Sequence, residues 1–311
     1  SARYGAEGTA GILNIILKKQ ELLGFNGNFV VNGGQTQSRM IPSGYGGSAN
    51  VNLRKNKFNL FSNTSVNKIL SIGKIYNQNE YYNGNEQTTF LDEIRKPERE
   101  NNSFFSSLGI EYFLKEKTSL ILSGFIRNTN GEDYSKNSLN TFSIDRVIID
   151  KSELIELEID KDNARQISLN FDSEIDEDGQ EFTAVFQYEE NSEDENASIN
   201  NSLEGRDEKV NQLEKEKRIL VQADYLLPLN NDTQFEFGFR GNYSDQENDY
   251  QVFQLKEGDF FKNTDLSNVL VYKEHVSAFY SQFEKKNNNF SFLLGIRMED
   301  TRIIINQRST N

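Results

Sequence analysis

Apolar residues occupy every second position through Leu108, Ile110, Tyr112 and Leu114. A short Lys115-Glu116-Lys117 turn follows, and the alternation resumes at Leu120, Leu122, Gly124 and Ile126. Period two belongs to a β-strand with one oily face. The same pattern predicts about eleven strands beyond residue 20. The earliest lie over about 23–32, 45–55 and 58–66. Later ones carry Ile167, Leu169 and Phe171; Phe182, Ala184, Phe186 and Tyr188; and Ile219, Val221, Ala223, Tyr225 and Leu227. The last three carry Phe235, Phe237, Phe239 and Tyr243; the stretch from His275 to Glu284; and Phe290, Phe292, Leu294, Ile296 and Met298. Tight turns are expected near residues 56, 116, 177, 230 and 287, where Asn56, Asp178-Gly179 and Asn231-Asp232 tolerate or favour turn geometry. Long polar connections are expected over about 68–102, 128–164, 189–217 and 244–273. Within the second of them Val147-Ile148-Ile149 is itself strand-like.

Short turns at one end and long connections at the other are the plan of an up-and-down transmembrane β-barrel. Strands of about ten residues suit a bilayer crossing at a tilt of about 45°. Between the oily positions stand polar ones: Glu236, Arg240 and Asn242; Gln222 and Asp224; Ser168, Asn170 and Asp172; Arg297 and Glu299. Such residues fit a wet lumen. A soluble β-sandwich has shorter strands and does not sort its loops by length onto one end. A solenoid would show a fixed repeat, and none is present.

Composition narrows the reading. The 311 residues include 3 Pro, no Cys and no Trp, and hydrophobic residues make up 35%. No run of about 18 apolar residues exists, so no transmembrane helix is expected. Low hydropathy is compatible with a barrel whose strands turn half their residues to water. The absence of Cys removes disulfides and thiol chemistry. A net charge of −14 argues against a nucleic-acid partner, since phosphate contact needs clustered Lys and Arg. His275 is the single histidine, so neither a Ser-His-Asp triad nor a histidine-rich metal site can be assembled. The acidic run Glu189, Glu190, Glu193, Asp194 and Glu195 lacks the glycine and fixed spacing of a calcium loop and reads as solvated charge. No carboxylate pair is marked out for acid–base work. No enzyme activity and no cofactor are expected. Tyr188, Tyr225 and Tyr243 are candidates for the membrane interface.

The opening Ser1-Ala2-Arg3-Tyr4-Gly5-Ala6-Glu7-Gly8-Thr9-Ala10-Gly11-Ile12-Leu13-Asn14-Ile15-Ile16-Leu17-Lys18-Lys19 resembles the end of the plug domain of TonB-dependent outer-membrane receptors, most of all the group common in Bacteroidetes-type bacteria. In that group the plug closes with an Arg-Tyr-Gly-like turn, a Gly-rich bend and a last strand reading Ile-Asn-Ile. Gly295-Ile296-Arg297-Met298-Glu299-Asp300-Thr301 resembles a recurrent barrel strand of the family.

The resemblance implies a 22-stranded barrel around a plug. Residues 1–20 would then be the end of the plug and residues 21–311 the N-terminal half of the barrel, in a fragment of a longer protein. Arg3, Tyr4, Gly5, Glu7, Gly8, Gly11 and Asn14 would form the plug-end motif, with Gly5, Gly8 and Gly11 in tight turns. By strand parity Glu111, Arg297 and Glu299 face the lumen. With Arg3 and Glu7 they are candidates for a plug–barrel ion-pair latch, against ordinary lumen polarity as the plainer reading. The resemblance also implies uptake of a scarce small nutrient, energised by the TonB–ExbB–ExbD complex, in contact with outer-membrane lipid and lipopolysaccharide. A passive porin and a surface β-rich adhesin are the rival readings. The ligand lies beyond what strand periodicity can specify.

Overall fold

The chain is described by a computed structural model, which defines residues 23–35, 43–84, 86–202, 207–287 and 290–309. Among these residues there are thirteen β-strands and no helix. In chain order they are β1 (Gly24–Gly34), β2 (Gly44–Lys55), β3 (Phe58–Ile72), β4 (Ile75–Asn83), β5 (Glu86–Lys115), β6 (Thr118–Ser143) and β7 (Ile148–Glu174). The rest are β8 (Glu181–Asn201), β9 (Glu208–Asn230), β10 (Thr233–Lys256), β11 (Asp259–Lys262), β12 (Asn268–Asn287) and β13 (Phe290–Ser309). Eleven of them run side by side as β1-β2-β3-β5-β6-β7-β8-β9-β10-β12-β13, and every pairing among the described residues is antiparallel. β4 adds to the far end of β5, and β11 to the far end of β10. Among the described residues β1 pairs only with β2 and β13 only with β12, so the meander has two open edges. The expected last strand of the plug, and the whole of domain 1–20, lie outside the described residues.

The eleven-strand path matches the alternation read from the sequence, but the strands are far longer than ten residues. β5 has 30 residues, β7 has 27 and β6 has 26. The connections expected over 128–164 and 189–217 are mostly strand. β6 and β7 pair as far as Phe142 with Ile148, and β8 and β9 as far as Ile199 with Glu208. The acidic run at 189–195 is therefore part of β8 rather than a loop. The reason is chemical. Through 128–143 and 191–201 both faces are mostly polar, so no hydrophobic alternation marks them, whereas β7 does carry one, at Ile155, Leu157 and Ile159 between Glu156, Glu158 and Asp160. The strands are held by the backbone ladder and by cross-strand pairs such as Arg99–Asp133 at 2.8 Å and Lys136–Glu153 at 2.8 Å.

The tight turns fall where expected. Asn56 takes φ 52°, and Asp176 caps the β7–β8 turn by accepting a 3.0 Å bond from the Gln180 N–H.

The two faces are segregated. Directly opposed residues share a face. One continuous row runs Phe25, Leu53, Leu60, Ile110, Leu122, Leu169, Phe186, Val221 and Gly241. The next row toward the tight turns includes Tyr112, Leu120, Phe171, Ala184, Ala223, Phe239, Phe279 and Met298. Leu108, Leu122, Phe279, Ile296 and Met298 stand exposed on this face. The other face carries Asn59, Glu111, Ser168, Asp224, Arg240 and Tyr280. Ser168, Asp224, Ala278 and Tyr280 are buried there, the crowding expected on the inside of a curling sheet.

The first row also measures the tilt. It meets β2 two residues from its tight turn and β13 ten residues from its own. With about 3.4 Å per residue and about 4.8 Å between strands, that is a climb of roughly 27 Å across roughly 43 Å. If the tight turns share one plane, the strands tilt by about 30°, close to the 35–45° of membrane barrels.

Candidate functional site: the inner wall and its membrane boundary

The oily face ends at a sharp level. The first charged residue on it is Lys68 in β3, Arg165 in β7, Glu190 in β8, Lys217 in β9, Asp245 in β10 and Asp300 in β13. Each stands about nine to thirteen residues from the tight turn of its strand. About ten tilted residues span roughly 25–30 Å, the thickness of a hydrocarbon core. Arg165, Glu190, Lys217, Asp245 and Lys273 are direct neighbours across five strands, so the charges alternate along the boundary. Arg165 donates from Nε to Glu190 at 2.6 Å, Lys217 lies 3.9 Å from Glu190, and Lys273 lies 2.7 Å from Asp245. Tyr188 and Tyr243 sit one position inside this ladder, as an interfacial girdle requires. Tyr188 donates to Glu190. Tyr225 marks the opposite boundary: it packs on Phe237 at 5.1 Å and donates to Gln180 in the β7–β8 turn at 2.9 Å.

Inside, a connected polar cluster lies on β9, β10 and β12. Tyr280 is 4% exposed, and its hydroxyl donates to Asp224, itself 6% exposed. Gln222 Nε2 donates to the other Asp224 oxygen at 2.7 Å. Glu236 accepts from Gln282 and lies 3.4 Å from the Tyr280 hydroxyl. The Tyr280 ring crosses over Gly238, which is the residue paired with both Tyr280 and Asp224. A Cβ on Gly238 would stand 2.6 Å from both the ring and the Asp224 carboxyl, so any larger residue would have to displace one of them. Reading the sequence found Asp224 and Glu236 as lumen residues but missed Tyr280 and Gln282. The available signal was parity, since both sit out of phase with Phe279 and Phe283.

The proposed latch residues are not brought together. Arg3 and Glu7, with the rest of the motif Tyr4, Gly5, Gly8, Gly11 and Asn14, lie outside the described residues. Glu111 faces inward on β5, where it accepts from Asn59 Nδ2 at 3.2 Å. With Arg54, Asp172 and Thr183 it lines a hollow of about 600 Å³ at the tight-turn end of the inner wall. Arg297 and Glu299 pair with each other at 2.7 Å on β13, seven positions away along the sheet path.

Above the membrane level the inner wall turns acidic. Asp162, Glu193 and Glu214 are directly opposed across β7, β8 and β9, and Asp160 opposes Glu195. Burial raises the carboxyls of Glu158, Asp162 and Glu193 above the ordinary range, and neighbouring carboxylates raise them further. No group of three or more His, Asp or Glu among the described residues is arranged to hold a metal ion.

Residues 173–311 match the outer membrane protein beta-barrel family. No curated protein matches the chain. Among solved structures, the ferric yersiniabactin uptake receptor of Yersinia pestis is similar with a TM-score of 0.38 and 8% identity, over 91% of this chain. The chain spans 55% of that receptor's length. The family match, together with the two-faced meander, places the chain in the outer membrane as a multi-pass β-barrel.

Proposed function

We propose that the chain is part of a TonB-energised receptor that imports a scarce small nutrient, with the tight turns in the periplasm and the long strand extensions outside. The observation that carries this reading is the opening segment, whose Arg3-Tyr4-Gly5 and Ile12-Leu13-Asn14-Ile15 stand directly before the first barrel strand. A passive pore has no use for a plug end at that place. The inner wall agrees with it. Tyr280, Asp224, Gln222, Glu236 and Gln282 satisfy one another laterally and form a firm wall, against which a mobile occupant could be held and released without unpairing the barrel. The strand extensions beyond the membrane would carry the ligand contacts, since variable, water-exposed segments on a rigid scaffold are where binding residues concentrate.

Two measurements on the full-length protein test the proposal. In a planar bilayer it should show no steady ion conductance, because the lumen is plugged. In cells, uptake of one or more members of a panel of ferric chelates and corrinoids should require the protein and stop when a protonophore collapses the inner-membrane gradient. A large steady conductance, with uptake indifferent to the protonophore, would establish the pore reading instead.

A further inference from the structure

The strand extensions sort their charges by face. At and beyond the charged boundary, Asp160 and Asp162 of β7, Glu193 and Glu195 of β8, and Glu214 and Glu216 of β9 all point inward. Lys161, Lys215 and Lys217 of the same strands point outward. The run Glu214-Lys215-Glu216-Lys217 shows the sorting within a single strand. Among the inward positions of β7 over 156–164, β8 over 189–201 and β9 over 208–218, the positive charge is Arg218, and Glu216 holds it at 2.7 Å. Asp160, Asp162, Glu193 and Glu195 make no hydrogen bond or ion pair among the described residues. Arg127 of β6 lies near Asp162 without forming an ion pair with it.

The acidic face runs without a break into an apolar one. Asp162, Glu193, Glu214, Asn248 and Leu270 are directly opposed in one row. Asn191, Glu216, Gln246, Tyr272 and Ile305 form the neighbouring row. On the inward side of β12 and β13, Leu270, Ile303 and Ile305 are 37%, 52% and 66% exposed. At the junction Asn248 donates from Nδ2 to Glu214 at 3.4 Å, and its Oδ1 is buried without a donor among the described residues. Leu270 lies two strands from Glu214, a distance of about 10 Å at about 4.8 Å per strand. Carboxylates without counter-ions and apolar side chains without cover thus share one sheet face. An exposed apolar patch rimmed by polar groups marks a binding surface. Repulsion among directly opposed carboxylates is relieved by a cation set between them.

We propose that this face binds a cationic amphiphile, with a protonated amine among Asp162, Glu193 and Glu214 and an apolar body about 10 Å away on Leu270, Tyr272 and Ile305. The proposal rests on the import reading and deepens it by naming the class of solute taken up. The occupant is an organic cation rather than a metal ion, because no three carboxylates among the described residues are arranged to hold one. An anionic solute would meet a wall of its own sign. With the lysines turned outward, the inner wall draws cations toward the lumen.

The test uses the full-length protein in lipid nanodiscs. The probe is a dansyl fluorophore carried on a five-carbon primary amine. Its N-acetylated and carboxylate-ended counterparts serve as neutral and anionic controls. Fluorescence anisotropy should show the amine bound about tenfold more tightly than either control, and its affinity should fall as added salt screens the wall. Asp162→Asn combined with Glu193→Gln should weaken amine binding about fivefold and leave the neutral probe unchanged. Ile305→Ser should weaken the amine and the neutral probe alike, by about threefold. Asp194→Asn, on the outward side of β8, should change neither. Heat-modifiable migration on gels reports whether each variant is folded, and Asp160→Asn with Glu195→Gln replaces the first pair if that pair is not. Absence of saturable amine binding, equal affinity for the amine and the neutral probe, or unchanged amine affinity in a folded inner-wall carboxylate variant would overturn the proposal. Binding needs no energy source, so its failure leaves the import reading to the protonophore assay, and failure of that assay leaves the binding result standing.

Discussion

Replacing Tyr280 with Phe keeps the ring over Gly238 and removes only the hydroxyl. Two groups then lose a partner: Asp224, 6% exposed, keeps the amide of Gln222, and Glu236 keeps Gln282. Leaving a buried acceptor short of a donor costs about 1–3 kcal/mol, so Tyr280→Phe is expected to destabilise the barrel by about that amount. Tyr280→Ala also empties the space above Gly238, and loss of a buried aromatic ring costs about 3–5 kcal/mol. Urea titration of the full-length protein in lipid vesicles, followed by far-UV circular dichroism, measures both. In a double-mutant cycle, Asp224→Ala should absorb most of the Tyr280→Phe penalty, because the acceptor is gone. A cost below about 0.5 kcal/mol for Tyr280→Phe, or strict additivity with Asp224→Ala, would show that the Tyr280–Asp224 contact holds nothing together.

Phe237→Arg puts a charge on the oily face and should cost about 2–4 kcal/mol in vesicles, whereas Asn242→Arg on the polar face should cost far less; equal costs would reverse the assignment of faces. Trypsin added to intact cells should cut after Arg146, in the turn between β6 and β7, and spare Lys57 and Lys117 in the tight turns at the other end; the opposite pattern would invert the sheet. The carboxyls of Glu158, Asp162 and Glu193 are raised in the folded wall, so folding favours their protonated forms. That contribution is complete below the ordinary carboxylate range and is lost as pH rises through the raised values. Amide exchange in 156–164 and 191–197, corrected for intrinsic rate, should therefore slow when pH is lowered from 7 toward 4.5; faster exchange on acidification would refute the account of this wall.

The sequence determined most of the membrane-spanning part by itself. In Phe235-Glu236-Phe237-Gly238-Phe239 or Leu108-Gly109-Ile110-Glu111-Tyr112 the oily positions recur with period two, and a one-residue slip would expose every one of them to the wrong solvent. That constraint is local, so eleven paired strands, their tight turns and the inward placement of Glu111, Asp224 and Glu236 could be read directly. The same logic failed above the membrane. In 128–143 and 191–201 both faces meet water, nothing distinguishes one parity from the other, and strand reads like loop. Only pairing with β7 and β9 decided that these segments are strands. Tyr280 shows the other limit. Its parity was legible, but its partner Asp224 lies 56 residues away in the chain, and Gly238 between them is an ordinary glycine until register places the ring over it. The separation of Glu111 from Arg297 and Glu299, and the row that carries Asp162, Glu193 and Glu214 on to Asn248 and Leu270, were also decided by tertiary structure. A side chain's face follows from its own neighbours in sequence, whereas the identity of the residue across from it depends on the register of two distant strands.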